Sequence, residues 1–141
     1  MIIAVDFDGT CVSHEFPFIG KSIGAEQVLK QLVQKGHKII LNTMRDKNHM
    51  YDKSLQKVVA TTRYDRSLLE EAEDWFKVNK IDLFSSNINP EQRSWTYSPK
   101  VYAHIYIDDA ALGIPLVHEE GFRPYVDWSK VEIMLKEKGV L

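Results

Sequence analysis

Short apolar runs alternate with amphipathic patterns along the first half of the chain. Residues 2–5 form a continuous apolar run that ends in Asp6, as expected for a strand buried on both faces. From Ala25 the apolar positions follow helical spacing, and Gly36 occupies the place where that helix should end. Residues 38–42 predict a second buried strand, so the pattern begins as strand, helix, strand.

The second half repeats this alternation. Residues 67–79 predict a helix in which Ser67 is the N-cap and Glu70 completes a capping box. Further predicted elements are strands at residues 81–84, 105–107 and 116–117, and a closing helix that starts after Asp127 and carries Val131, Ile133, Met134 and Leu135. Such alternation predicts an α/β fold with a mostly parallel central sheet, in one domain covering residues 1–141.

Composition narrows the classes of function. The 141 residues carry a formal net charge of -2, which gives no indication of general nucleic-acid or anionic-membrane binding. Cys11 is the single cysteine, so an internal disulfide framework is excluded and a reducing compartment is favoured. No apolar run approaches the ~20 residues that span a bilayer. We therefore expect a soluble, cytoplasmic protein.

Polar side chains follow three of the predicted strands. Asp6 and Asp8 come after the first strand, Thr43 after the second, and Asp108 and Asp109 after the strand at residues 105–107. In parallel α/β sheets, ligands bind beyond the carboxyl ends of the strands, where the strand order reverses. Carboxylates on adjacent strand ends can share one hard cation, and Mg²⁺ needs only one or two of them plus a substrate phosphate.

The first acidic pair predicts phosphoryl transfer. With Mg²⁺ bound to both Asp6 and a phosphate, in-line attack by Asp6 on phosphorus becomes feasible and yields an aspartyl-phosphate. Asp8 is placed to act as the acid-base, and Gly9 allows a sharp turn. Other interpretations remain for single residues: a structural turn at Asp6, a turn or cap at Thr43, and an N-cap pair at Asp108 and Asp109.

Taken together and in this order, the motifs resemble the haloacid dehalogenase (HAD) superfamily of phosphatases and phosphotransferases. The sequences that carry the resemblance are Asp6-Phe7-Asp8-Gly9-Thr10, Leu41-Asn42-Thr43-Met44-Arg45, Lys100, and Ile107-Asp108-Asp109. The similarity is greatest to small, capless hydrolases of bacterial or phage type. It implies a three-layer Rossmann-like fold.

The resemblance also implies a role for each matching residue. Asp6 is then the nucleophile and a Mg²⁺ ligand, and Asp8 is the acid-base, with its backbone carbonyl on the metal. Thr43 is expected to hydrogen-bond the transferring phosphoryl group, and Lys100 to neutralise its charge. Asp108 is expected to bind Mg²⁺ directly, and Asp109 directly or through water.

The chain departs from this family pattern at two places. Related small members often have an arginine where this chain has Ala110, and about twenty extra residues, 47–66, follow the second motif. These extra residues bring charged and aromatic side chains that could contact a phosphorylated substrate or a neighbouring subunit: Lys53, Lys57, Arg63, Tyr64 and Arg66. Alternatively, residues 47–66 form a charged, solvent-exposed segment that contacts neither a substrate nor another subunit. We call these residues the excursion.

No segment is long enough for a full cap domain, so an open site is expected. Such a site either serves bulky substrates or is closed by a neighbour in a homo-oligomer. Trp95 and Tyr97 are candidates for stacking on a base or sugar, or for packing against the core. The substrate is predicted only as a phosphate ester.

Three other functions compete with that of a phosphatase. A phosphotransferase to an acceptor other than water shares the same first half-reaction. A non-catalytic magnesium or phosphate-binding module could keep the fold. A phosphoacceptor receiver domain also uses acids, a threonine and a lysine, but the order of these residues along the chain argues against it.

Overall fold

The structure, a computed structural model, describes residues 1–62 and 64–141. Its strands are β1 (Ile2–Val5), β2 (Lys38–Leu41), β3 (His49–Asp52), β4 (Lys57–Ala60), β5 (Leu83–Ser86), β6 (Ile105–Ile107), β7 (Leu116–Val117) and β8 (Tyr125–Val126). The helices are α1 (Ala25–Gln34), α2 (Leu68–Val78) and α3 (Trp128–Glu137), and a short 3-10 helix covers Pro90–Ser94. The predicted parallel α/β sheet is confirmed, with four strands in the order β5-β2-β1-β6.

Strand order explains where the helices lie. The chain steps from β1 to β2 to β5 in one direction, so right-handed crossovers place α1 and α2 on the same face of the sheet. Buried residues of these helices and of α3 form one cluster with alternate strand residues, among them Ile3, Val5, Ile39, Leu41 and Ile107. Because alternate residues of a strand point to opposite faces, this cluster defines the helical face.

On the opposite face of the sheet, the long connection between β5 and β6 packs against the strands. Here Ile2, Ala4 and Ile40 pack with Val101 and Ala103, which belong to the long connection between β5 and β6. That connection reverses direction across the sheet, so it must pass over the second face. Among the described residues no α-helix packs there, and the helix-sheet-helix arrangement expected from the sequence is not established.

The extra residues form a β-hairpin. β3 and β4 pair antiparallel, with His49 opposite Ala60 and Asp52 opposite Lys57. The Tyr51 ring packs against Phe18, with ring centroids 4.7 Å apart, which joins the hairpin to the loop after β1. Within the excursion, residues 58–62 have a short β-like pattern in the sequence, and this stretch overlaps β4. Arg63 lies outside the described residues.

Two predicted elements need correction. The third strand runs over Leu83–Ser86 rather than residues 81–84, because Ile81 is buried in the helical-face core before the strand begins. The strand predicted at residues 116–117 exists as β7, but it pairs antiparallel with β8 in a separate two-stranded ribbon and does not extend the central sheet.

The helix ends follow the predicted capping chemistry. Ser67 Oγ accepts from the Glu70 N–H at 3.1 Å while the Glu70 carboxylate accepts from the Ser67 N–H at 2.8 Å, which is the predicted capping box. Asp127 caps α3, in which Val131 and Leu135 are buried but Ile133 and Met134 are exposed. No helix in the described parts of the chain is both long and apolar enough to cross a membrane.

Candidate functional site

The predicted acids meet where the strand order reverses. Asp6 follows β1 and Asp108 follows β6, and these two strands are parallel neighbours. The Asp6 N–H donates to the Ile107 carbonyl at 2.9 Å, so the two strand ends stay in register up to the first carboxylate. Ligands bind at such a reversal in open α/β sheets.

Three carboxylates lie close enough to share one cation. Asp6, Asp108 and Asp109 each offer an oxygen, and these oxygens all lie within 4.8 Å of one another. The donor set consists of hard, anionic oxygens, which suits Mg²⁺. No α-helix follows Asp108 directly; the Asp108 carboxylate instead accepts from the Ala110 N–H at 2.8 Å in a turn. The alternative of a helix N-cap pair is therefore wrong.

Thr10 holds two of these acids in place. Its buried hydroxyl donates to Asp6 Oδ2 at 2.9 Å and accepts from the Asp109 N–H at 3.0 Å. Trp128 holds the backbone of this turn, because its indole N–H donates to the Thr10 carbonyl at 2.6 Å. One hydroxyl thus bridges the β1 and β6 ends of the site.

His14 is a site residue that the sequence did not identify. Its Nε2 lies 2.8 Å from Asp109 Oδ2, and only 13% of its side chain is exposed. The imidazole passes directly over Gly9, where a β-carbon would collide with the ring and where φ is +81°. Glycine at position 9 is therefore required by space as well as by backbone conformation.

Burial and neighbouring negative charges raise the pKa of Asp6, the candidate nucleophile. Removal from water raises the pKa of the Asp6 carboxyl to about 7, and the negative charges of Asp108 and Asp109 add to that rise. Hydrogen bonds from the Phe7 N–H and the Thr10 hydroxyl lower the pKa and offset part of it. A bound cation would favour the charged carboxylate.

Asp8 is engaged by a buried arginine. Arg45 Nη2 and Nε donate to the two carboxylate oxygens of Asp8, each at 2.8 Å. The Arg45 side chain is fully buried, and it also donates to the backbone carbonyls of Pro17, Phe18 and Leu68. No role for Arg45 was predicted, although it lies two residues after Thr43.

Thr43 lies beside the acids, as predicted. It lines the same cavity, and its Oγ1 accepts from the Arg45 N–H at 3.1 Å, which leaves the hydroxyl hydrogen available for a ligand. Asn87, just after β5, fixes the loop: its side chain accepts from the Thr43 N–H at 2.8 Å and donates to the Arg45 carbonyl at 3.1 Å. Three strand ends thus contribute to the site.

Lys100 is not brought to the acids. It lines a separate cavity of about 430 Å³ together with Trp95, Tyr102 and Tyr106. Tyr106 pairs in register with Ala4, whose side chain faces the second face of the sheet. Among the described residues, the ammonium group of Lys100 forms no ion pair with a carboxylate. The sequence-based role of Lys100 therefore has no geometric support.

The acid-lined cavity has a volume of about 430 Å³. Its wall is formed by acids, polar groups, an apolar rim and one arginine: Asp6, Asp8, His14, Phe16, Thr43, Met44, Asp108, Asp109, Ala110 and Arg123. None of the charged and aromatic residues listed for the excursion, as far as the structure describes them, lines this cavity. Arg66 instead forms an ion pair with Asp74.

The two loop aromatics lie outside both the site and the core. Trp95 is 64% exposed and packs edge-on against Tyr102, with ring centroids 5.7 Å apart. Tyr97 is 85% exposed, and the Arg93 guanidinium lies 6.0 Å from its ring centroid. Packing against the core is therefore wrong for both residues, and neither contacts the acid-lined cavity.

Comparison with known proteins identifies a structural relative. No protein-family model and no curated protein matches the chain. A solved structure, that of a conserved protein coded by a locus of Bacteroides thetaiotaomicron, is similar over 98% of this chain and 91% of its own, with 33% sequence identity and a TM-score of 0.66. Identity at this level over nearly the full length of both chains shows common descent. The chain therefore belongs to the family of this conserved Bacteroides protein.

Proposed function

We propose that the protein is a magnesium-dependent phosphohydrolase that cleaves a phosphate monoester through an aspartyl-phosphate on Asp6. One observation carries the proposal: the carboxylates of Asp6, Asp108 and Asp109 converge within 4.8 Å at the reversal point of a parallel sheet. Thr43 shares their cavity, with a hydroxyl hydrogen that can reach a ligand. This set combines a nucleophile, a cation site and a hydroxyl that can donate a hydrogen bond to a phosphate oxygen.

Asp6, Asp108 and Asp109 are the residues that would hold Mg²⁺. When bound, the cation supplies charge neutralisation that lets an anionic nucleophile approach an anionic phosphate. The protein itself supplies the orientation of the carboxylates, through Thr10 on Asp6 and Asp109 and through His14 on Asp109. Such outer hydrogen bonds fix the direction of metal ligands.

Two displacements at phosphorus make up the reaction. In the first, an Asp6 carboxylate oxygen forms a bond to phosphorus and the bond to the ester oxygen breaks, so that the leaving alcohol departs after taking up a proton. In the second, water attacks the phosphorus of the aspartyl-phosphate, the bond to the Asp6 oxygen breaks, and the carboxylate is restored as inorganic phosphate leaves. The proposed proton carrier in both steps is Asp8.

Arg45 constrains how Asp8 can carry protons. Both oxygens of Asp8 already accept hydrogen bonds from the guanidinium, so Asp8 is held as a fixed acceptor facing the cavity. Accepting a proton from the attacking water uses the remaining lone pairs and needs no rearrangement. The proton that Asp8 would give to the leaving oxygen lies on one of these same oxygens, in contact with Arg45.

We infer that the fold is HAD-like in its finer detail. The order of acid pair, threonine and second acid pair along the strand ends supports this assignment, as does the reversal of strand order beside β1. The hairpin after the second motif is too small to be a full cap, which supports an open site. A phosphorylated small molecule or chain end is the proposed partner.

Phosphate release from p-nitrophenyl phosphate tests the proposal. We expect release that requires Mg²⁺, stops in EDTA and is lost in Asp6→Asn, while Asp82→Asn, at an exposed aspartate outside the site, keeps the activity of the parent. Circular dichroism must show that each variant is folded. Equal release by the parent and Asp6→Asn would contradict the proposal. Faster turnover with added alcohols would indicate a phosphotransferase.

A further inference from the structure

The acid-lined cavity lacks the lysine that phosphoryl transfer would use there. Its wall holds the four carboxylates of Asp6, Asp8, Asp108 and Asp109, whereas Lys100 lines a different cavity on the second face of the sheet. A transferring phosphoryl group spreads negative charge over its equatorial oxygens, and that charge needs cations or hydrogen-bond donors. Besides the proposed Mg²⁺ and the Thr43 hydroxyl, any cationic side chain that contacts this charge has to come from a position other than Lys100.

The Arg45 guanidinium lies near the acid-lined cavity, but other protein groups already accept its hydrogen bonds. Its Nε and Nη2 donate to Asp8, and its Nη1 faces the carbonyls of Pro17 and Leu68. The side chain is fully buried beneath Phe16, whose ring centroid lies 5.3 Å from the guanidinium carbon. The Arg45 guanidinium therefore has no donor directed into the cavity, and its contact with the site is the one to Asp8.

Arg123 is the one lysine or arginine among the described residues that line the acid cavity. It is exposed, and within the part of the chain that the structure describes its guanidinium forms no ion pair or hydrogen bond with another protein group. An arginine without a protein partner, facing carboxylates that it does not pair with, is available for an anion that binds between them.

The loop that carries Arg123 is anchored to the site on both sides. On one side, the Lys21 ammonium lies 5.0 Å from the ring centroid of the adjacent Phe122. On the other, the Val126 N–H donates to the Gly9 carbonyl at 2.9 Å, within the turn that follows Asp8. Arg123 lies between these two contacts in the chain and lines the acid cavity.

We propose that Arg123 binds the phosphoryl group during transfer and takes the role that the sequence assigned to Lys100. The planar guanidinium can donate two parallel hydrogen bonds to phosphate oxygens, which a lysine cannot match in geometry. The inference rests on the proposed function for its kinetic consequence, but it also makes a claim about phosphate binding that holds without turnover.

The kinetic test compares Arg123→Gln, Arg123→Lys and Lys100→Gln in saturating Mg²⁺. We expect Arg123→Gln to lower kcat/KM about 100- to 1,000-fold, as the loss of a donor to transition-state charge typically does. Arg123→Lys should recover part of that loss, and Lys100→Gln should stay within about twofold of the parent. Loss of activity in Lys100→Gln with Arg123→Gln unaffected would overturn the inference.

Calorimetric titration with inorganic phosphate in Mg²⁺ separates this inference from the proposed function. We expect Arg123→Gln to bind phosphate at least 10-fold more weakly than the parent, with Mg²⁺ affinity retained, and Lys100→Gln to bind it normally. If the parent binds phosphate more tightly than Arg123→Gln but releases none from any ester, the proposed function fails while Arg123 is still the phosphate-binding residue. Equal phosphate affinity in the parent and Arg123→Gln would refute the assignment whatever the activity.

Discussion

The Arg45 guanidinium binds both carboxylate oxygens of Asp8, with each donor-acceptor distance at 2.8 Å, and it does so from a fully buried position. The same guanidinium ties the loop after β1 and the first turn of α2 to this pair through the Phe18 and Leu68 carbonyls. Arg45 is thus a positioning residue for Asp8 and a structural junction between three segments.

Removing Arg45 should destabilise the protein strongly. We expect Arg45→Gln to lower the free energy of unfolding by about 3 kcal/mol or more, because it leaves Asp8 without its partner and several carbonyls without a donor. Arg45→Lys should recover little, since an ammonium cannot reproduce the bidentate geometry. Urea denaturation in EDTA measures both variants.

A double-mutant cycle with Asp8→Asn isolates the pair itself. The coupling energy between Arg45→Gln and Asp8→Asn should fall in the range of about 1 to 3 kcal/mol, as found for residues in one hydrogen-bond network. Additive effects of the two substitutions would show that Arg45 acts through the backbone carbonyls alone.

The loss of kcat/KM in Asp8→Asn should depend on the leaving group of the ester. For alkyl phosphates, whose leaving oxygen needs a proton, we expect Asp8→Asn to lower kcat/KM by about 100-fold or more. For p-nitrophenyl phosphate, whose leaving group departs without a proton, the loss should be at least 10-fold smaller. Steady-state kinetics on the two esters checks this prediction, and equal losses would exclude proton donation as the role of Asp8.

Without metal, the free energy of unfolding should fall as the pH rises from about 4 to about 7. The pKa of Asp6 is raised from 3.8 to about 7 in the folded chain, mainly by burial. Between these two values the unfolded chain loses a proton that the folded chain keeps, so the stabilising contribution is complete below about pH 4 and is lost by pH 7. At about 1.4 kcal/mol per pH unit, the full loss over this window should be on the order of 4 kcal/mol.

Urea midpoints at pH 5 and pH 8 in EDTA measure this contribution. Asp6→Asn carries no titrating group at position 6, so its decline with pH should be smaller than that of the parent. Addition of Mg²⁺ at pH 8 should stabilise the parent more than Asp6→Asn. A parallel pH dependence of the two proteins in EDTA would contradict the assignment to Asp6.

Mg²⁺ affinity should depend on the three converging acids. We expect Asp108→Asn to weaken Mg²⁺ binding by at least 10-fold, because it removes one anionic oxygen from the cluster. His14→Gln should weaken binding less, since it removes only an orienting contact to Asp109. Isothermal titration calorimetry measures both, with Asp82→Asn as the control; unchanged affinity in Asp108→Asn would move the cation site elsewhere.

Elements with strong local signals could be predicted from the sequence. β1 and α2 were found because a buried parallel strand reads as an unbroken apolar run and because the Ser67–Glu70 capping box is local. The convergence of Asp6 with Asp108 followed from strand direction alone. Of the β3–β4 hairpin only the stretch at β4 had a β-like pattern in the sequence; β3 was not predicted, because its residues are exposed or half-buried and do not alternate.

Features that depend on pairing across the chain could not be predicted. The partners Arg45 and Asp8 are 37 residues apart, and no local pattern links them. His14 and Asp109 are 95 residues apart. Lys100 was assigned by motif order, but the irregular connection over the second face decides where its side chain lies. No local pattern indicated Arg123, because it lies in the loop between β7 and β8, and of these two strands only β7 was predicted.

Because the β1–β6 pairing joins distant parts of the chain, we expect the site to form late in folding. Asp6 and Asp108 are brought together only when β6, an edge strand of three residues, closes a loop of about a hundred residues onto β1. Closing so long a loop is entropically costly and slow relative to local contacts. A cation held by both acids would bind only when β6 is paired with β1, and it would therefore stabilise that pairing. The fraction of the protein with bound metal would then measure how much of it has β6 in place.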